Sequence, residues 1–276
     1  MTQLGRNAAR HTVTVPGRPD ISLVIAWGAA TDTGRKRHHN EDSLLAESPL
    51  FVVADGMGGH SAGDVASAAV VSRLEQEISA EFTEIGAIEQ GLRAATADIA
   101  LAADEKELGV GTTATGAALT LEEGEPCWTI FNVGDSRVYM FENNVLSQVS
   151  VDHSVVQELV DAGLIRAEDA EFHPDSNVIT RAVGFNAEPL PDYWIVPIRA
   201  GLRLLLCSDG LTKELDTERI RLHLAAALAP LETAQALVDA AIAAGGRDNI
   251  TTIVVDIVES SGIFDLEHTV PRPTRV

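Results

Sequence analysis

A chain of 276 residues with 45% apolar composition can bury a sizeable core in one large domain or two small ones; with aromatics at only 4%, that core must be built from Val, Ile, Leu and Ala. Its 41 acidic residues against 20 basic ones give a formal net charge of −21, which repels nucleic acid and anionic membranes and argues against both as partners. Cys127 and Cys207 lie inside apolar runs and make no disulfide framework; with no secretory leader and no run of ~18 apolar residues, a cytoplasmic location is expected.

In chain order, residues 1–20 are polar and Arg-containing and read as a flexible N-terminal arm. β-like runs begin at Ile21 with ISLVIAWGAAT, followed by DSLLA and LFVVAD. Ser61 to Phe82 carries Val65, Ala69, Val70, Leu74 and Ile78 at helical spacing, with Asp64 near its start, where a negative charge suits the helix dipole. Ala87 to Asp104 repeats the spacing through Ile88, Leu92, Ala95 and Ile99, so the two helices are expected to pair over one sheet face.

Strand signals return in GTTATGAALTLEEG and PCWTIFNVGDSRVYMF, and Glu142-Asn143-Asn144 marks a hairpin turn before VLSQVS. DHSVVQELVDAGLI reads as a short helix ending near Gly163, followed by an acidic, Pro-containing surface excursion, RAEDAEFHPDSN. ITRAVG, PDYWIVPIRAG and LRLLLCSDG are β-like again. Thr217 to Ala229 and Leu231 to Ala244 form a second helix pair, and DNITTIVVDIV is the last strand. The tail, residues 259–276, carries Pro271 and Pro273 and is expected to be flexible.

Strands and helices do not alternate regularly, so a doubly wound parallel sheet is not expected. The pattern predicts an α+β fold in one domain over residues 21–258. Two packed, mostly antiparallel β-sheets would be flanked on both faces by antiparallel helix pairs, an αββα sandwich.

Four aspartates sit where apolar runs meet turns: Asp55 in FVVADGMGG, Asp135 in NVGDSR, Asp209 in CSDGL and Asp248 in RDNITT. Any one Asp-Gly also fits a plain turn. As a set on strands of opposite direction, the four would meet at one sheet edge. Converging carboxylates repel, and hard cations with oxygen ligands are the usual remedy.

The chain closely resembles the metal-dependent PPM/PP2C protein serine/threonine phosphatases of bacterial type over about residues 23 to 258. Eight blocks carry the resemblance in order: RHHNED (37–42), VVADGMGGH (52–60), GTTA (111–114), NVGDSR (132–137), DHS (152–154), ITRAVG (179–184), CSDGLT (207–212) and RDNIT (247–251). The resemblance implies two ions, Mn²⁺ or Mg²⁺. Asp55 would bridge them, Asp209 and Asp248 would complete the first, and the Gly56 carbonyl would bind the second. Glu41 and Asp42 would reach that ion mainly through water. Glycine at 56 would leave its carbonyl free to turn toward the ion. Bacterial relatives often hold a third ion, whose ligand positions Asp135 and Asp209 match; a turn-stabilising role is the alternative for Asp135.

Arg37 matches the phosphate-binding arginine, its planar fork suited to two phosphoryl oxygens, although beside Arg35 and Lys36 it also fits an exposed cation. Two ions ~3.5–4 Å apart would activate a water for in-line attack on phosphorus, without a covalent intermediate. Met57 stands where eukaryotic relatives carry the histidine proposed as general acid. His60 and His153 are candidates for that task, with hydrogen-bonding roles as the alternative, while His38 and His39 read as loop residues. The oxygen-rich donor set does not suit zinc. The excursion at about 154–177 matches the flap beside the site, and Thr269 is a candidate phosphorylation or docking position. Phosphorylated proteins, serine/threonine kinases among them, are the expected partners, and a free-standing monomer is the expected form. Two rivals stand: a catalytically silent pseudophosphatase that binds phosphoproteins, and a phosphatase dedicated to one sigma-factor regulator.

Overall fold

Alternate residues of a strand face opposite sides of its sheet, and here the central strands are apolar on both sides, which calls for cover above and below. The computed structural model describes residues 1–58, 62–102 and 109–262. The chain begins with strands β1 (Gln3–Gly5), β2 (Ala8–Val15), β3 (Arg18–Asp32), β4 (Asp42–Glu47) and β5 (Leu50–Met57). Helices α1 (Ala62–Gln76) and α2 (Ile85–Ala102) follow. Then come β6 (Gly111–Thr112), β7 (Ala114–Glu122), β8 (Glu125–Val133), β9 (Arg137–Glu142) and β10 (Val145–Gln148). Helix α3 (Val155–Asp161) and a 3-10 turn at Ala167–Phe172 precede β11 (Asp192–Pro197) and β12 (Arg203–Cys207). The last elements are α4 (Asp209–Thr212), α5 (Thr217–Ala225), α6 (Pro230–Ala244) and β13 (Ile250–Ser261).

One sheet runs β1-β4-β5-β7-β8-β11 with β6 beside β5, and the other runs β10-β9-β12-β13-β3-β2. Among the described residues every pair of strands is antiparallel except β1 with β4. The sheets face each other across Leu23, Ile25, Phe51, Val53, Ile130, Leu204, Leu206, Ile253 and Val255. Trp27, Phe51 and Trp128 stack edge to face in that layer at 5.3 and 5.9 Å. The opposite face of the first sheet (Leu50, Val52, Ala54) packs on α1 and α2 through Val70, Leu74, Ile88 and Leu92. The opposite face of the second (Leu205, Cys207, Val254) packs on the helices after β12 through Leu211, Leu224, Leu237 and Val238. This is the expected α+β sandwich.

Several boundaries differ from expectation. Residues 1–20 are not a loose arm: β1 lies along β4, and β2 pairs with β3 and buries Val13 and Val15. The last strand passes residue 258 and reaches Ser261. PCWTIFNVGDSRVYMF is two strands in different sheets, β8 and β9, with Gly134-Asp135-Ser136 as the switch between them. ITRAVG forms no strand, only isolated bridges of Ile179 to Ser154 and of Val183 to Thr112 and Asn186. The excursion over 154–177 contains α3 and the 3-10 turn. The β9–β10 hairpin turns on Asn143 and Asn144, both at positive φ, as its sequence indicated. His60, Asp104 and Thr269 lie outside the described residues. Among the described residues no helix is long and apolar enough to cross a membrane.

Candidate active site

Asp55 lies near the end of β5, and its backbone is clamped. Its N–H donates to the Thr113 hydroxyl at 2.8 Å, and its carbonyl accepts from Thr113 N–H and the Thr112 hydroxyl, each at 2.9 Å. The GTTA block therefore serves to hold Asp55. Gly56 is required by a close approach rather than by its φ: a Cβ there would stand 2.0 Å from the Gly63 carbonyl oxygen and 2.6 Å from that of Glu41. The residue lets the start of α1 and the Glu41 loop close over the strand end.

The second pair of carboxylates is assembled in the same way. Strand β12 stops at Cys207, and Asp209 opens the short helix α4. A Cβ on Gly210 would stand 1.9 Å from the Asn249 carbonyl oxygen, so only glycine lets the Asp209 and Asp248 turns touch. The Asn249 side chain donates to the carbonyls of Thr33 and His39 at 2.9 and 3.0 Å and accepts from Glu41 N–H at 2.9 Å. That residue ties the loop bearing Arg37 and Glu41 to the Asp248 turn.

Arg37, Glu41, Asp55, Gly56, Asp135, Asp209 and Asp248 line one cleft of about 420 Å³, joined by Asn177 at the far end of the 154–177 excursion and by Ile179 just beyond it. The sequence reading placed all seven at one site. Asp42 is not in the cleft lining. It is fully buried beneath it, where its Oδ2 accepts from the hydroxyls of Ser208 at 2.9 Å and Thr251 at 2.6 Å, linking the two sheets. The sequence reading missed Lys213. Its Nζ lies 2.5 Å from Asp209 Oδ2 and 3.2 Å from Asp248 Oδ2, and the i, i+4 spacing from Asp209 at the start of a helix was the available signal. Arg37 does not stand free for a ligand; its fork engages Asp248, Nε to Oδ1 at 2.8 Å and Nη2 to Oδ2 at 2.9 Å.

These carboxylates strain one another. Burial, then the neighbouring aspartates, raises Asp55 well above the usual carboxylate range. Burial pushes Asp42 up to about 7 against the bonds from Thr251 and Ser208, and it pushes Asp135 up to about 7 with Asp209 adding to it. Burial would raise Asp248 too, but Lys213 and Arg37 reverse the sign and lower it. Lys213 is held charged: burial opposes its ammonium, and Asp209 and Asp248 outweigh that.

As placed, no three carboxylate, imidazole or thiol groups among the described residues lie together as one ion's ligands. Asp209 and Asp248 instead engage Lys213, and Asp248 also engages Arg37. The donor set nonetheless fits a hard cation. It is all oxygen, and among the described residues the buried Asp42 Oδ1 and Asp209 Oδ1 have no hydrogen-bond partner.

His153 is buried with both ring nitrogens engaged. Nδ1 accepts from Gly134 N–H at 3.1 Å, and Nε2 faces Asp192 Oδ2 at 3.0 Å. Its backbone N–H donates to the Gly134 carbonyl at 2.8 Å, so it braces the turn that presents Asp135. His38 and His39 are exposed on their loop, as expected.

The family model described as protein phosphatase 2C matches residues 33–244. The chain belongs to the protein phosphatase 2C family. This phosphatase is 39% identical over 240 residues to the serine/threonine phosphatase stp of Listeria innocua, covering 82% of this chain and 93% of that one. The PPM Ser-Thr phosphatase MsPP from Mycobacterium smegmatis, solved in complex with cacodylate, superposes with a TM-score of 0.77 at 33% identity, over 84% of this chain and 98% of that one. The catalytic domain of the serine threonine protein phosphatase PstP, solved in complex with 2 manganese ions, superposes with a TM-score of 0.75 at 34% identity, over 86% and 100%. The protein phosphatase 2C described here is thus an enzyme, a protein-serine/threonine phosphatase of the PPM type.

Proposed function

We propose that this protein phosphatase 2C removes phosphate from phosphoserine and phosphothreonine in proteins with the help of two divalent ions, Mn²⁺ or Mg²⁺, and so opposes serine/threonine kinases in the cytoplasm as a monomer. The observation that carries the reading is the meeting of Asp55, Asp209 and Asp248 with Arg37 in one cleft. Asp55, Asp209, Asp248 and the Gly56 carbonyl would hold the ions, with Glu41 at the rim. When bound, such ions lower the pKa of a water toward neutrality and offset phosphoryl charge.

The chain's own residues do the rest. Arg37 lies at the cleft and is half-exposed; its fork can turn from Asp248 to two oxygens of a phosphoryl group and hold it in line. Asp42 fixes Ser208 and Thr251, and through them the backbone that carries Asp209 and Asp248. His153 supports the Asp135 turn and has no free nitrogen to offer a leaving alkoxide, so a solvent proton is the simpler source. Asn177, which ends the 154–177 segment, reaches the cleft together with Ile179, which supports a part for that segment in choosing among substrates.

The test is hydrolysis of a phosphothreonine peptide by the full chain with Mn²⁺. The reading expects turnover that chelator abolishes and that Asp209→Ala reduces by more than about a hundredfold. A wild-type protein that takes up Mn²⁺ fully and turns over nothing would instead be a phosphoprotein-binding pseudophosphatase.

A further inference from the structure

The loop between β3 and β4 carries three consecutive cations, Arg35, Lys36 and Arg37, in a chain whose formal net charge is −21. The loop is pinned rather than free. Asn249 donates to the carbonyls of Thr33 and His39, Gly34 N–H donates to Asp32 Oδ1 at 2.7 Å, and Arg35 N–H donates to the Gly246 carbonyl at 2.7 Å. Gly34 also lies against the turn that presents Asp248, where a Cβ would stand 2.1 Å from the Asp248 carbonyl oxygen.

Only the last of the three cations is engaged. Arg37 lines the cleft and pairs with Asp248. Arg35 and Lys36 are exposed, and among the described residues neither side chain has a hydrogen bond or an ion pair. The acids beside the loop are taken: Asp248 by Arg37 and Lys213, Glu214 by Arg247, and Asp32 by the loop's own backbone. A fixed backbone thus presents two unpaired cations next to the arginine that faces the phosphoryl group. Consecutive Cα atoms are 3.8 Å apart, so Arg35 stands within ~8 Å of backbone from Arg37, a span that an extended peptide covers in two or three residues.

We infer that Arg35 and Lys36 form a docking rim for anionic side chains, carboxylate or phosphoryl, that the substrate carries within about three residues of the phosphothreonine. The inference rests on the phosphatase reading above, with Arg37 on the phosphoryl group. A phosphoprotein that approaches so acidic a chain is repelled at long range, and unpaired cations beside the cleft turn that repulsion into attraction at the site. Arg35 offers a planar fork to two oxygens, and Lys36 a point charge on a flexible stem.

The test uses the full chain with Mn²⁺ and three phosphothreonine peptides, flanked on both sides by glutamine, by glutamate or by a non-hydrolysable phosphonate. At low salt the wild type is expected to favour an anionic peptide over the glutamine one by about fivefold in kcat/KM, the sum of two exposed ion pairs. That ratio should fall toward one in about 0.5 M salt and in the double variant Arg35→Gln/Lys36→Gln, and should invert in Arg35→Glu/Lys36→Glu. Preference for the glutamate peptide would identify carboxylates as the ligand, and preference for the phosphonate peptide alone would identify phosphoryl groups. A wild-type ratio near one at low salt, or a preference that the double glutamine variant keeps, would overturn the inference. A chain that hydrolyses none of the peptides would overturn the phosphatase reading instead, and the same ratios are then read from peptide binding by fluorescence anisotropy, where equal affinities would overturn the rim as well.

Discussion

Asp42 and Asp55 stand directly opposite each other across the β4–β5 pair, yet only Asp55 opens onto the cleft; Asp42 is sealed under it by the hydroxyls of Ser208 and Thr251. Asp42 is therefore a support of the site, whatever a water relay adds. Asp42→Ala leaves the buried Ser208 hydroxyl without its acceptor and Thr251 with only the Thr31 hydroxyl to turn to, and is expected to cost about 1–3 kcal/mol. Asp42→Asn keeps an acceptor oxygen and removes a buried charge, so its metal-free form should unfold within about 1 kcal/mol of wild type. Urea titrations of both variants in chelator check this, and equal losses would refute it.

Metal-free stability should depend on pH in a direction fixed by the same carboxylates. Asp42 and Asp135 are pushed up to about 7 and Asp55 well above the usual range, chiefly by burial. The folded chain thus keeps protons that the unfolded chain gives up near pH 4. This contribution is full below that pH and is lost as pH rises through about 7, at roughly 1.4 kcal/mol per pH unit for each extra proton. His153 and His223, lowered by burial, act in the opposite sense only below about pH 6.5. Asp248, lowered by Lys213 and Arg37, matters only in acid. In chelator the Tm should fall from pH 6.5 to 8, and saturating Mn²⁺ should flatten the slope. A Tm that rises over that interval without metal contradicts the account.

Arg37 is held by Asp248, and the proposed function has a phosphoryl group compete for it. Arg37→Ala should lower kcat/KM on a phosphothreonine peptide by about a hundredfold. Arg37→Lys should recover little of it, because an ammonium cannot reproduce the fork. Steady-state kinetics decide; full rescue by lysine would show that only charge is needed.

His153 braces a turn and carries no catalytic proton on this account. His153→Asn should reduce kcat by less than about tenfold and leave the pH profile of kcat unchanged, whereas loss of a general acid costs 10²–10⁴-fold and removes a limb of that profile. A missing limb would return His153 to catalysis.

Much of this was legible in the sequence, and the failures have physical reasons. The Asp-Gly and Asp-Asn blocks marked the strand ends, because close approach at Gly56 and Gly210 demands small residues where carboxylates converge. Asp135 was found, but the turn bearing it was hidden inside one apolar run, since strands of two different sheets are equally apolar and only three residues separate β8 from β9. The pairing of β2 was written in HTVTV, where Val13 and Val15 are buried and Thr12 and Thr14 exposed, a period-2 signal masked by the arginines around it. ITRAVG has strand composition, yet its bridges are isolated ones to Ser154, Thr112 and Asn186, and pairing is not a property of a segment alone. Lys213 was missed because Asp209 was read as the end of a strand rather than the start of a helix, which hid the i, i+4 relation.

The most direct measurement is calorimetric titration of Mn²⁺ into wild type and Asp55→Asn. If Asp55 helps to hold both ions, wild type takes up two per chain and the variant loses measurable binding of both. Uptake by Asp55→Asn equal to that of wild type would contradict the account.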